Sequence, residues 1–130
     1  MKIRALGAYF IRREVRTEKW IRHLDGEERR EVEGPVEYYV PVETIPEADG
    51  LAFMCPKCFV THGGSVGTHW VVCWRPHVPP EVEPKPGRWE FLGTSLDDLT
   101  LKAGSSSILL GGEGGCQAHF FIEGGGVRMA

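Results

Sequence analysis

The 130-residue sequence lacks any apolar run that approaches the ~18 residues of a membrane-spanning helix. Its N-terminus also lacks the apolar core of a secretory signal, so we expect a cytoplasmic protein. The chain has little net charge, -3 at neutral pH, which excludes a strong overall attraction to nucleic acid or to an anionic membrane. It contains only four cysteines, and a reducing cytosol favours metal binding over disulfide bonds for these thiols.

The hydrophobic content of 42% is enough for one core, and a chain of this length is expected to form a single domain, residues 1–130. We divide it into an N-terminal strand and hairpin extension, residues 1–37, and a β core, residues 38–130. Residues 75–87 contain five prolines and no apolar pattern, which predicts an extended polyproline-type loop within that core.

Two pairs of metal-ligand residues lie far apart in the chain. Cys55 and Cys58 form a Cys-Pro-x-Cys pair, and Cys116 and His119 form a Cys-x-x-His pair 57 residues later. Together they supply four soft or borderline donors, the number that tetrahedral zinc requires in a closed structural site. The long gap excludes a small zinc finger and favours two loops of one β-domain that share a structural zinc ion.

Other uses of these cysteines stay open. Cys55 and Cys58 could form a redox motif, a disulfide or a pair of buried thiols. A thioredoxin-like motif should begin a helix, whereas Pro56 and the segment 59–64 are poor helix formers, which argues against it. If only three of the proposed ligands bind, then a further residue, His62, His69 or Glu123, would complete another arrangement. Cys73 lies in the apolar run 69–74 and is expected to be a core residue.

The remaining pattern is that of short strands separated by turns. No segment has a clear helical pattern, so the sequence predicts an all-β fold: a small zinc-clasped sandwich or curled sheet with a Cys-Pro-x-Cys knuckle and a C-terminal hairpin. Within residues 17–33, Trp20, Ile21 and Leu24 stand at helical spacing, but Asp25-Gly26 predicts a type I′ hairpin turn, and we favour the hairpin. Strands are predicted over 2–11, 36–40, 51–54, 69–74, 89–92, 99–101, 105–110, 119–122 and 127–129.

The N-terminal third is the most basic part of the chain. Residues 1–33 hold nine Lys or Arg against seven acids, and the remainder holds six against eleven. A solvated face accounts for this cluster, and the competing hypothesis is a docking patch for an acidic partner. The candidate partner-binding residues are Arg12, Arg13, Arg16, Lys19 and Arg22.

From residue 38 onward the sequence resembles a family of small metal-binding β proteins of unknown function. The resemblance rests on the order of its motifs: an Ile-Pro turn, the cysteine knuckle, a Gly-Arg-Trp strand, a Leu-x-Leu step and a terminal Cys-x-x-His hairpin. The family often has Cys-Gly-Cys-Gly at the knuckle, where this chain has Lys57-Cys58-Phe59. The matching residues are Ile45, Pro46, Gly50, Phe53, Cys55, Pro56, Cys58, Gly87, Arg88, Trp89, Leu99, Leu101, Ser107, Ile108, Cys116, His119, Phe120, Ile122 and Val127.

Members of that family occur in tailed phages, sometimes under an ammonia monooxygenase label, and in bacterial gene clusters that encode ubiquitin-like conjugation components. The resemblance therefore implies a phage-encoded protein or an associate of such a conjugation system. Copper oxidation of the labelled kind depends on a membrane-embedded assembly, which this sequence lacks. A closed four-ligand site also argues against catalysis, and we expect no enzymatic activity.

We expect a noncatalytic, zinc-stabilised protein-interaction module, such as a phage virion or accessory protein. Its partners would be other proteins, including virion proteins or further copies of itself, and we expect neither a membrane nor a nucleic acid. The alternative is an adaptor or metalloenzyme of a ubiquitin-like conjugation system. A nucleic-acid-binding zinc ribbon is the third hypothesis; its support is the basic N-terminal third, and the acidic overall balance counts against it.

Overall fold

The computed structural model describes residues 1–23, 26, 29–85, 87–103, 107–110 and 116–130. Within these ranges the chain forms a short 3-10 helix at Ile3–Leu6, one α-helix and nine strands, about 50% strand and 9% helix. The all-β prediction is therefore confirmed. The elements are β1 (Tyr9–His23), β2 (Arg29–Val42), β3 (Gly50–Met54), α1 (Pro56–His62), β4 (Trp70–Trp74), β5 (Glu90–Leu92), β6 (Thr100–Lys102), β7 (Ile108–Leu109), β8 (His119–Glu123) and β9 (Gly126–Met129).

The strands form a curled antiparallel arrangement of three sheets. The largest sheet has the order β2-β1-β3-β4, a second sheet pairs β5 with β6, and the third has the order β7-β8-β9. The backbone N–H of Ile3 donates to the carbonyl of Gly125, and Lys2 bridges to Gly126, which attaches the N-terminus to the third sheet. None of the described helices is long and apolar enough to cross a membrane.

A long two-stranded ribbon projects from the large sheet. Strand β3 pairs with β1 only at Tyr9–Ile11, whereas β1 and β2 stay paired from Phe10 and Val42 to His23 and Arg29. We call residues 12–23 and 29–40 the arm; at 3.3 Å per residue it extends about 40 Å. The sequence predicted a hairpin here. Its predicted Asp25-Gly26 turn falls mostly outside the described residues.

The large sheet is covered on both faces at its centre. One face packs against the main core, which includes Phe10, Leu51, Phe53 and Cys73. The opposite face carries a smaller cluster of buried side chains. Because successive residues of a strand face opposite sides, adjacent positions such as Phe10 and Ile11 enter different cores. The smaller cluster consists of Ile11, Ala52, Trp74, Val78 and Val82.

The proline-rich segment 75–87 is folded against this second face, and the expected extended polyproline loop is not found there. Its described residues form turns, and Val78 and Val82 are buried against Trp74. The guanidinium of Arg88 binds the turns together by donating to five backbone carbonyls at 2.5 to 3.1 Å. These belong to Val78, Pro79, Val82, Pro84 and Gly87.

The structure differs from the sequence predictions in two further elements. The first half of the strand predicted over 2–11 is the 3-10 helix, which buries Ile3 and Leu6 in the main core. Its hydrogen bonds end at Gly7, whose φ of 68° is costly for residues with a side chain. The second difference is α1, which replaces the knuckle turn predicted after Cys55.

We predict that Arg88→Lys destabilises the fold by about 2 kcal/mol, because an ammonium cannot reproduce the planar fork that reaches several carbonyls at once. Urea unfolding monitored by tryptophan fluorescence measures this change. Arg22→Lys, on the exposed arm, is the matched control and should change stability by less than about 0.5 kcal/mol. Equal effects of the two substitutions would contradict the role given to Arg88.

Candidate metal centre

The centre begins where the pairing of β3 with β4 continues by one residue beyond both strands. Met54 is opposite Trp70, and the N–H of Cys55 then donates to the carbonyl of His69 at 2.9 Å. Residues opposite each other in an antiparallel pair present their side chains on the same face, about 5 Å apart. The strand register therefore places the His69 imidazole beside the Cys55 thiol.

Helix α1 adds the second cysteine. Cys55 caps the helix, and the amide of Phe59 donates to its carbonyl at 2.9 Å, so Cys58 lies one turn along the same face. The argument that this segment is poor helix material was wrong. Pro56 occupies the first helical position, where its missing N–H costs nothing, and Gly63 ends the helix with a φ of 70°.

The third cysteine is positioned by a turn before β8. The N–H of Gln117 donates to the carbonyl of Leu110, and the N–H of Leu110 donates to the carbonyl of Ala118, which attaches the turn to β7. Gln117 has a φ of 61°, and this conformation directs the Ala118 N–H to the Cys116 sulfur. Lys57 of α1 donates to the Cys116 carbonyl at 2.7 Å and joins the turn to the helix.

The four donor atoms, from Cys55, Cys58, His69 and Cys116, all lie within 4.8 Å of one another. The Sγ atoms of Cys55 and Cys116 are 3.6 Å apart, and His69 Nε2 is 3.4 Å from Cys116 Sγ. No disulfide joins the cysteines of the chain, all four of which fall among the described residues. This geometry is compatible with a single metal ion held by three sulfurs and one nitrogen.

The thiols of Cys55 and Cys116 differ in acidity. Burial raises the pKa of the Cys55 thiol to about 11. Burial also opposes ionisation of Cys116, but the N–H of Ala118 and the neighbouring His69 outweigh it and lower the pKa of Cys116 to about 7. A metal ligand must be deprotonated, so a metal ion bound here would release protons and bind more weakly in acid.

The cluster contains three of the four ligands expected from the sequence, and its histidine is His69 where the sequence analysis expected His119. His119 begins β8 on the exposed face, where its ring stacks on Phe121 with the centroids 6.1 Å apart. Its neighbour Phe120 faces the core, so strand alternation turns His119 away from the cysteines. The signal for His69 is its pairing with Cys55, which sequence spacing alone does not reveal.

The other residues considered from the sequence do not belong to the cluster. His62 packs near Gly67, and the Glu123 carboxylate pairs with Arg128 at 3.0 Å. Cys73 is fully buried in the main core, as expected, and burial raises the pKa of its thiol. Cys73 therefore contributes packing within the core.

The proposed basic patch is divided between the two faces of the arm. Strand alternation places Arg12, Arg16 and Arg22 on one face and Arg13 and Lys19 on the other. The Glu14 carboxylate binds Arg12 at 2.8 Å and Arg16 at 2.6 Å. Glu37 binds Arg13 at 3.1 Å. These ion pairs neutralise much of the local positive charge.

Helix α1 reopens the comparison with a redox motif, because a strand followed by Cys-x-x-Cys at the start of a helix is the outline of such a motif. Two additional donors distinguish this site. Cys116 and His69 lie as close to Cys55 and Cys58 as a shared metal ion requires, and redox exchange needs neither. The complete set of donors therefore favours metal binding.

We predict that His69→Ala lowers the affinity for the bound metal at least tenfold because it removes a ligand, whereas His119→Ala leaves the affinity unchanged. The two variants are matched in residue type. Metal content per chain, measured by mass spectrometry after dialysis against a weak chelator, distinguishes them. Loss of metal from His119→Ala with retention by His69→Ala would contradict the site as described.

Comparison of this chain with protein-family models, with curated proteins and with solved structures found no significant match.

Proposed function

We propose that this protein is a noncatalytic, zinc-stabilised protein-interaction module. The observation that carries the proposal is the cluster of Cys55, Cys58, His69 and Cys116, whose donor atoms lie within 4.8 Å of one another. The cluster supports the zinc part of the proposal, and the exposed arm supports the interaction part.

The chemistry of the donors favours zinc. Thiolate and imidazole together suit Zn²⁺, and a tetrahedral site with Zn–S bonds of ~2.3 Å separates two sulfurs by about 3.8 Å and a sulfur from a nitrogen by about 3.5 Å. The corresponding separations here are 3.6 Å and 3.4 Å. These two separations are close to those of a tetrahedral zinc site and support zinc as the metal.

The number of donors supports a structural role. Four protein ligands complete a tetrahedron and leave no position for water or substrate, whereas a catalytic zinc keeps one position open. The ligands come from the residue between β3 and α1, from α1 itself, from the residue before β4 and from the turn before β8. Zinc bound here would join the large sheet to the third sheet, and its binding energy would be folding energy.

The arm supports a protein partner. Val15 and Ile21 on one face of the arm and Trp20 on the other are 52%, 58% and 42% exposed, and none of them belongs to a core cluster of the described residues. A two-stranded ribbon is marginally stable on its own, which favours packing of the arm against another protein. The pairing of Arg12, Arg13 and Arg16 with glutamates reduces the charge that a nucleic acid would bind, and so supports a protein over a nucleic acid.

The resemblance to phage proteins supports a role for this module in a virion or as a phage accessory protein. The same resemblance is the support for the alternative, a metalloenzyme or adaptor of a ubiquitin-like conjugation system. A metalloenzyme would in addition need an open metal position.

We predict one zinc ion per chain and a strong dependence of folding on it. At free zinc a thousandfold above Kd, bound zinc adds about 4 kcal/mol to the free energy of unfolding. Urea unfolding with and without a zinc chelator measures this difference. Cys73→Ala, which removes a thiol outside the cluster, should retain one zinc per chain, and equal stability with and without zinc would contradict a structural role.

Substitution with Co²⁺ separates the structural role from the catalytic one. We expect a tetrahedral thiolate spectrum that does not change when azide is added, because four protein ligands leave azide no position. A spectral change on adding azide would indicate an open position and would favour the metalloenzyme.

A further inference from the structure

A groove of about 560 Å³ lies beside the metal centre. Its walls are formed by β4, by β7 and by the end of the proline-rich segment, including Pro84 and Lys85. His69 lines the groove and also belongs to the metal cluster, so the two sites adjoin. The groove has the volume of a pocket that holds a ligand, and the backbone edges of β4 and β7 form part of its walls.

Strand β4 presents to this groove backbone groups that have no partner among the described residues. It is the edge strand of the large sheet, and main-chain groups of alternate residues point to opposite sides of a strand. The His69 carbonyl is directed to β3, so the same alternation directs the N–H and C=O of Trp70 and Val72 outward. Within the described chain, the outer side of β4 is paired at Trp74, whose carbonyl accepts a hydrogen bond from the backbone N–H of Trp89 at 3.0 Å.

Strand β7 presents the same kind of edge from another wall. It lies at the edge of the third sheet, and Leu110 exchanges hydrogen bonds with the turn before β8. Alternation then directs the N–H and C=O of Leu109 away from β8. Leu109 is 62% exposed.

The two edges of the large sheet differ in how they are protected. The outer edge of β2 carries Glu31, Glu33 and Glu37, and charged residues are what proteins use to prevent unwanted strand pairing. Strand β4 carries Trp70, Val71 and Val72 at its open end, with no charge. An apolar, unprotected edge at the side of a groove is typical of sites that accept an added strand.

The lining of the groove restricts the incoming segment. The described lining residues are mostly apolar, and the ammonium of Lys85 pairs with the Glu83 carboxylate at 3.5 Å. His69, as a metal ligand, would be neutral. A neutral, largely apolar segment therefore matches the groove better than a charged one. Because the groove has walls on more than one side, it suits a single extended strand. Pairing of β4 with the sheet of another copy of the protein would need an edge that is open on one side.

We propose that this groove binds an extended, neutral and largely apolar segment of another polypeptide, which adds as a strand to the outer edge of β4 and contacts the edge of β7 at Leu109. Because the outer side of β4 is already paired at Trp74, a segment of about three or four residues matches the part of the strand that precedes it. The inference rests on the proposed interaction function and gives that function a surface distinct from the arm. Backbone hydrogen bonds would supply affinity, and the apolar lining would select the side chains.

The probe is a library of random dodecapeptides displayed on filamentous phage and selected on immobilised, zinc-loaded protein. Fluorescein-labelled synthetic peptides of the selected consensus are then titrated by fluorescence polarisation. Leu109→Glu should weaken binding at least tenfold because it places a charge in the groove. The matched control is Leu92→Glu, at a half-exposed leucine of β5 outside the groove, and it should change Kd less than twofold.

Hydrogen exchange gives a second readout. Peptide binding should slow exchange of the amide hydrogens of Trp70, Val72 and Leu109, which face the groove, more than that of their neighbours. Failure to select any peptide, equal effects of the two glutamate variants, or protection confined to the arm would overturn the proposal. A dimeric wild type that Leu109→Glu converts to a monomer would identify a second copy as the occupant and would also overturn it.

Zinc content separates this inference from the proposed function. If the protein holds one zinc per chain and no peptide binds, then the groove inference fails and the zinc-stabilised module stands. If peptides bind in the groove of a protein that holds no zinc, then the zinc-stabilised module fails and the groove inference stands.

Discussion

The pairing of Cys55 with His69 at the end of β3 and β4 is the constraint on which the site depends. A shift of one residue in this register would turn His69 to the opposite face of the sheet. The same register places Gly50 opposite Trp74, where a side chain at Gly50 would approach the Trp74 ring to 2.7 Å and the Cys73 carbonyl to 2.8 Å. The packing of this sheet thus also holds the metal ligands in register.

The metal centre lies at a junction that the hydrophobic core does not fully cover. Cys55 is buried, whereas Cys58 and Cys116 are only partly buried at the border of the main core. The turn that carries Cys116 is attached to the rest of the molecule by hydrogen bonds with Lys57 and Leu110, among others. A metal ion bound by these residues would supply at this border the cohesion that apolar packing supplies elsewhere.

Much of the fold could be predicted from local patterns, because most strands alternate between buried and exposed residues or carry β-branched runs between turn residues. The three cysteines of the cluster were also evident from their spacing. His69 was only an alternative, because its role depends on the pairing of two strands. Helix α1 was missed because Pro56 was interpreted as a helix breaker, although proline is favourable at the first helical position. Val78 and Val82 gave no periodic signal, since they are buried by turns organised around Arg88.

The most direct test is X-ray absorption spectroscopy at the zinc edge of the purified, untagged protein. The account predicts three sulfur ligands at about 2.3 Å and one imidazole nitrogen at about 2.0 Å. A coordinated water oxygen, or fewer than three sulfurs around the metal, would contradict the closed four-ligand site.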